Sequence, residues 1–482
     1  MLLSAYHRQN VRQNNIHATL MSLAGNVRRH YGIEELPISR VRYLHNAITN
    51  LFEHTELRRP DMPTRIRRER RNQFQQVLDA LVGATTADIA PTGAYAVDTT
   101  AIDTPARQPR RHKEFNDRVN AIHAEKPLHD VDARVGHRTQ TQANRTNWVY
   151  GYQMLALSRV ATDTDPDGPV PRFIDRIALV PGNESAIPET LQALRSLQQS
   201  QLRTDEIIVD KGFSQASFDT FRGPLSDLNV DVVLDLKKDE HKPAPDKKKN
   251  FVVIDGYPYC ATIPERLREL HLEETLWAKN TAGRRHVTED EQAGWDERVR
   301  RHQEFDKLIQ ERLTHRLESK GRTKNGQGTR FICRSLTGGE MAHNGHPPAD
   351  DRKGCCAQAI TIPHKALGKH RQKHIWGTRA WKRSYARRPD IERHFGSLKS
   401  TNSLFCTGWT LQVGLVKTAF AAAMTIMAYN LHVLMRWAKK HPTPESAIAS
   451  MIVRDTIAED PDPGIDMSKL PEAYRPLGLQ PA

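Results

Sequence analysis

The chain has 482 residues, of which 71 are Lys or Arg and 57 are Asp or Glu, a formal charge of +14. That length excludes a small coreless module and allows two or three domains, and the positive balance favours a polyanionic partner, nucleic acid before an anionic membrane surface. Five cysteines in so long a chain do not form a secreted disulfide framework, and the opening MLLSAYHRQN has no long apolar core, so a cytoplasmic protein without a signal peptide is expected.

Residues 1–90 read as a polar, basic, helical region with apolar positions such as Leu20, Met21, Leu23 and Val27. Its run RRPDMPTRIRRERR, Arg58 to Arg71, suits contact with DNA and equally a solvated linker. The texture then changes. GAYAVDTTAI (Gly93 to Ile102), NWVYGYQMLALSRV (Asn147 to Val160), RFIDRIALVPG (Arg172 to Gly182), DEIIVDKGF (Asp205 to Phe213) and VDVVLDLK (Val230 to Lys237) are short runs rich in β-branched or aromatic residues, each a strand of a central sheet. PETLQALRSLQQS and SQASFDTFRG fit covering helices. Three strands, a helix, a strand, a helix and a strand make residues 91–237 an α/β domain.

The charged, proline-containing KKDEHKPAPDKKKN, Lys237 to Asn250, marks a boundary. Residues 238–363 read as an insertion with a charged helix from about Glu289 to Leu317 and strands at RFICRSL and AITIP. Residues 364–440 return to the first domain. Their apolar segment, Val413 to Met435, is long enough for a bilayer but carries Lys417, Asn430 and His432, so it reads as a buried helix of a soluble domain and no membrane partner is expected. Residues 441–482 form a tail.

The stretch SYARRPDIERHFGSLKS places Tyr385, Arg388, Glu392 and Lys399 three, four and seven positions apart, the recurrence of one helical face. Pro389 suits the first turn of that helix. From Glu392 to Lys399 the axis runs roughly 10 Å at about 1.5 Å per residue, so carboxylate and ammonium can touch two points of one extended anion. Ion-paired solvent faces look alike; a metal-binding face needs further carboxylates. Asp98 ends the apolar run AYAVD and Asp210 ends EIIVD, each at the rim of a strand, although each also suits a turn. With Glu392 they form a set of hard oxygen donors suited to Mg²⁺ or Mn²⁺. Asp103 competes with Asp98, which directly follows the apolar run and is preferred.

Asp98 in VDTTAI, Asp210 in VDKGF and the Y-R-E-K pattern of Tyr385, Arg388, Glu392 and Lys399 resemble the DDE transposases of bacterial insertion sequences, the IS-four-like group. The resemblance covers roughly Gly93 to Met435. It implies an RNase-H-like mixed sheet flanked by helices, with a helical N-terminal DNA-binding region and an insertion domain before the last catalytic helix. Asp98, Asp210 and Glu392 would be the catalytic residues and would hold two Mg²⁺ or Mn²⁺ ions. Cleavage at the element's ends and strand transfer into target DNA would follow. Arg388 and Lys399 would contact phosphates and Tyr385 would orient one. Double-stranded DNA would be the partner of a homodimer, nucleoid-associated when bound. Some relatives stack a flipped base on tryptophan; Trp376, Trp381 and Trp409 lie near the signature, with buried packing the preferred use. The rival readings are a transposase-derived DNA-binding protein that no longer cuts, and an RNase-H-like nuclease without strand transfer.

Cys260, Cys333, Cys355 and Cys356 fall in the inserted region with His343 and His346 nearby. Four thiols there suit structural zinc. The C-x-x-C spacing is lacking and adjacent cysteines make poor paired ligands, so zinc is the less favoured reading of these cysteines.

Overall fold

Mixed strands and helices make the chain an α/β protein. The computed structural model describes residues 13–21, 25–30, 35, 37–87, 89–106, 130–140, 145–165, 170–246, 249–270, 283–324, 327–336, 353–400, 405 and 412–440. Two units divide it: residues 1–204 with 388–482, and residues 205–387.

In the first unit the three apolar runs read as strands fold as β1 (Ala94–Asp103), β3 (Arg145–Arg159) and β4 (Ile174–Pro181), and the polar RVGHRTQ adds β2 (Arg134–Gln140). All pair antiparallel around β3. One edge of β3 carries β1, from Tyr95 opposite Arg159 to Asp103 opposite Gly151. Its other edge carries β4 along residues 152–158 and β2 along residues 145–151. Where β2, β3 and β4 converge, only glycine fits: a Cβ on Gly136 would strike the Gly182 carbonyl, and one on Gly151 the Ile102 carbonyl.

Helices cover this sheet. The Thr64–Gly83 helix buries Phe74, Leu78 and Val82 and packs on β4 and on the Leu415–Lys440 helix. Among the described residues, Leu415–Lys440 is the helix long and apolar enough to cross a membrane, and most of its apolar window is buried. Its fully buried Asn430 splices it to β4, donating through Nδ2 to the Ile174 carbonyl at 2.8 Å and accepting the Ile174 amide at 3.1 Å. A residue that would weaken a bilayer span is thus satisfied by strand backbone. Arg159 on β3 and Asp175 on β4 form a fully buried ion pair, and Arg159 also donates to the Thr86 carbonyl at 3.2 Å. Part of the basic run is equally committed. Arg58 pairs with Asp132, and Arg71 pairs with Glu189.

In the second unit β5 (Glu206–Val209) and β6 (Asp231–Leu234) pair parallel. The helix expected over SQASFDTFRG is corrected. A 3₁₀ turn at Phe213–Gln215, a π turn at Phe218–Arg222 and a short helix at Gly223–Asp227 take its place. Ser217 accepts the Thr220 amide and caps the π turn, which runs on through helical backbone at Arg222 and Gly223 into the short helix, so helical structure covers the second half of the expected stretch and continues past it.

The stretch read as a boundary contributes β7 (Ala244–Asp246), which pairs with β8 (Phe251–Ile254), itself paired with β9 (Tyr257–Cys260). Asp255 and Gly256, at φ 52° and 77°, form the two-residue turn between β8 and β9. The Glu289–Thr314 helix opens on a capping box of Thr288 and Glu291. Its fully buried Arg312 donates to Asp255 at 2.8 Å, and the other Asp255 oxygen contacts His241 Nδ1 at 2.7 Å. A second antiparallel sheet follows, of β10 (Glu318–Arg322), β11 (Gly328–Ile332) and β12 (Ile360–Pro363). The strand expected through RFICRSL ends at Ile332, and Arg334–Leu336 is a 3₁₀ turn.

Candidate active site

Asp98 is the first half-buried residue of β1 after four buried ones, so the strand carries its carboxylate out of the core on a rigid backbone. Its Oδ1 accepts the Thr99 amide at 2.7 Å. Pro389 opens the Pro389–Ser400 helix, as its fixed φ and missing N–H allow. Ile391, Phe395 and Leu398 are buried and anchor one side of that helix. Glu392 points away from them, with its side chain 54 % exposed.

Arg388, just before the helix, joins the two carboxylates. Its guanidinium donates to Asp98 Oδ2 at 3.0 Å and to Glu392 Oε1 at 2.6 Å. Asp98, Glu392 and Lys399 line one pocket of about 460 Å³, with Tyr152, Gln153 and Phe395 on its walls and Gly136 and Gly182 in the backbone beneath. Asp98, and not Asp103, is on the wall. Behind the helix, His394 Nδ1 lies 2.6 Å from the Tyr429 hydroxyl, and burial, with Arg172 and Arg436 adding to it, pushes the imidazole down to about 4. Neutral His394 therefore accepts a hydrogen bond from the Tyr429 hydroxyl and locks the helix without adding charge near Glu392.

Tyr385 ends a separate helix, Arg379–Tyr385, in the second unit. Its ring stacks on Trp381 with centroids 5.0 Å apart and planes at 9°. Trp376 and Trp381 are buried, donating to Asp235 Oδ1 at 2.8 Å and to the Leu234 carbonyl at 3.0 Å, which bears out the packing use expected of them. Trp409, His343 and His346 lie outside the described residues.

Asp210, also in the second unit, is the residue after β5 and builds the turn anticipated as its alternative role. Its Oδ1 accepts the Gly212 amide at 2.9 Å and its carbonyl the Phe213 amide at 3.2 Å. The loop is pinned further on. Lys211 pairs with Asp235 at 2.9 Å, and the Ser214 hydroxyl donates to Glu240 with its oxygen 2.7 Å from the Lys211 carbonyl. Burial pushes the Glu240 carboxyl up, but hydrogen bonds from Ser214, Lys369 and the Lys237 amide outweigh it and hold the group at about 2.

One feature of the first unit had no anticipated counterpart. A groove of about 670 Å³ is lined by Arg67, Arg68, Arg71 and Arg134 alongside Asp132 and Glu184. The arginine run was visible in the sequence; its meeting with β2 and β4 was not. Comparison with models of known protein families gives no match, and neither does comparison of the sequence with curated proteins.

Proposed function

We propose that the chain is a DDE-type DNA transposase, with an RNase-H-like core, that cleaves the ends of an insertion sequence and joins them to target DNA. The observation that supports this reading is the meeting of Asp98 with a helix distant in sequence: Asp98, Glu392 and Lys399 line one pocket, and Arg388 bridges Asp98 to Glu392. A bland ion-paired helix face gives no reason for Glu392 to share its guanidinium with a strand aspartate.

The donors fit a divalent ion. Asp98 and Glu392 offer hard carboxylate oxygens, the pair already shares one cation, and no described pocket wall is a cysteine or histidine. They would hold Mg²⁺ or Mn²⁺, whose chemistry is to activate the attacking oxygen and stabilise the leaving one. The chain's own side chains do the rest. Arg388 and Lys399 bind phosphate oxygens, the first as a planar fork and the second as a point charge. His394 holds the helix in register from behind.

The test uses the full-length protein, linear duplexes carrying the DNA that flanks its coding region, and Mg²⁺ or Mn²⁺. Nicks at defined positions followed by joined end-target products are expected, and Asp98→Asn or Glu392→Gln abolishes both while leaving DNA binding intact. Nicks without joining would favour the hydrolytic nuclease. Binding without nicks would favour the DNA-binding protein that no longer cuts.

A further inference from the structure

Four cysteines meet where the two three-stranded sheets of the second unit converge. Cys260 ends β9, Cys333 follows β11, and Cys355 and Cys356 sit on the 3₁₀ turn Gly354–Cys356 that precedes β12. All four are fully buried in one cluster with Phe251, Phe331 and Ile362. Cys260 Sγ lies 3.3 Å from Cys356 Sγ, which lies 3.9 Å from Cys355 Sγ, and these three sulfurs are all within 4.8 Å of one another. Cys333 is in hydrogen-bonding reach of Cys356.

We propose that Cys260, Cys333, Cys355 and Cys356 bind one structural zinc ion that clamps the two sheets together. Zinc–sulfur bonds of about 2.3 Å in a tetrahedron place the sulfurs roughly 3.8 Å apart. The separations of 3.3 and 3.9 Å bracket that spacing. A disulfide, with sulfurs about 2.05 Å apart, would join two of the four and leave the convergence of the others unexplained. Cysteines used as small core residues have no reason to gather at one point.

The adjacent pair, poor ligands by sequence, becomes usable through its turn. Gly354 has φ 57°, and a Cβ there would run into the Lys249 carbonyl, which accepts the Cys355 amide at 3.1 Å. Glycine thus lets the turn press against Lys249 with both thiols facing inward. Two donors already point at sulfur. Thr262 Oγ1 donates to Cys260 at 3.1 Å and Asn250 Nδ2 to Cys356 at 3.7 Å, the outer support that metal thiolates take. On binding, each thiol loses its proton to solvent, and Cys355 gives up its present bond to the Asn250 carbonyl at 2.9 Å. Four protein ligands leave no open position, so the ion is structural and plays no part in the Asp98–Glu392 chemistry.

Full-length protein purified without chelator decides the matter by metal analysis. About one zinc per chain is expected, released in step with titration of the thiols by a mercurial. Cobalt exchanged for it should give sulfur-to-cobalt charge transfer and the intense red absorption of a tetrahedral thiolate site. Cys333→Ser and Cys356→Ser should hold less than about a tenth of a zinc per chain, while Cys406→Ser, outside the described residues, keeps it all. Should the serine variants fail to fold, metal release from the unaltered protein still decides. Folded protein with neither zinc nor cobalt uptake overturns the proposal, as does iron in zinc's place. Because this readout needs no DNA, its failure is separable from failure of the cleavage test.

Discussion

Arg388 grips Asp98 at 3.0 Å with one guanidinium nitrogen while another holds Glu392 at 2.6 Å. A cation therefore already occupies the space between the carboxylates, and the divalent ion proposed for this site would have to compete with it. Arg388→Ala removes the competitor. Mn²⁺ should then raise the melting temperature at lower concentration than in the unaltered protein, while the proposed DNA cleavage falls by about 10²-fold, the loss expected for the phosphate contact proposed for Arg388. Unchanged cleavage would remove Arg388 from the site.

Glu392→Gln separates chemistry from folding. The side chain is 54 % exposed and its ion pair spans one helical turn, an arrangement worth about 0.3–0.5 kcal/mol. The urea midpoint should hardly move. On the proposed function, cleavage should drop by roughly 10³-fold, since loss of the proposed ion ligand would forfeit several kcal/mol of charge stabilisation. A large loss of stability would mean that Glu392 is structural.

The pair Arg159–Asp175 predicts the reverse. Both side chains are fully buried, so Arg159→Met strands an uncompensated carboxylate in the core and should cost about 3–5 kcal/mol in urea unfolding. Replacing both by apolar residues should recover part of that loss.

Glu240 sets an acid limit on the second unit. Held at about 2 in the folded chain against an ordinary 4.5, it binds its proton less readily folded than unfolded. Its stabilisation is present above pH 4.5 and is lost as pH falls towards 2. Glu240→Gln should flatten the fall of the urea midpoint across that window, and an unchanged slope would show that other carboxylates dominate.

Gly151→Ala tests the crowded point of the sheet. The new methyl would overlap the Ile102 carbonyl, a backbone atom that cannot rotate aside. A loss of about 3 kcal/mol or more is expected in urea unfolding, with cleavage failing in proportion as β1 shifts under Asp98.

The apolar strands were legible because burial writes itself as β-branched runs. GAYAVDTTAI became β1 within one residue at either end, and Pro389 announced its helix. The polar strands were not. The β10 sequence ESKGR is half-exposed at Glu318 and exposed from Ser319 to Arg322, so it shows no alternation to read. β7 hides in a charged, proline-bearing run, where a three-residue strand tolerates Pro245. The β8–β9 hairpin did leave a signal: Asp255-Gly256 between FVVI and YPYC is a favoured turn pair, masked by the boundary reading of the residues before it. The face of Arg388, Glu392 and Lys399 was readable from spacing, whereas the fork joining Arg388 to Asp98 depends on tertiary structure no local pattern encodes. The four thiols show the same limit, since their convergence is made by two sheets and by the turn at Gly354.

The first unit is interrupted. Its sheet comes from residues before 205, and the helices that carry Glu392 and Asn430 come after 387. During synthesis the intervening 205–387 segment emerges whole and can begin folding while the first unit still lacks two of its helices. Asp98 then waits for a partner made almost three hundred residues later. A chain released early would hold the strand aspartate without the helix glutamate, so the DNA cleavage proposed for the pair would belong to finished molecules alone.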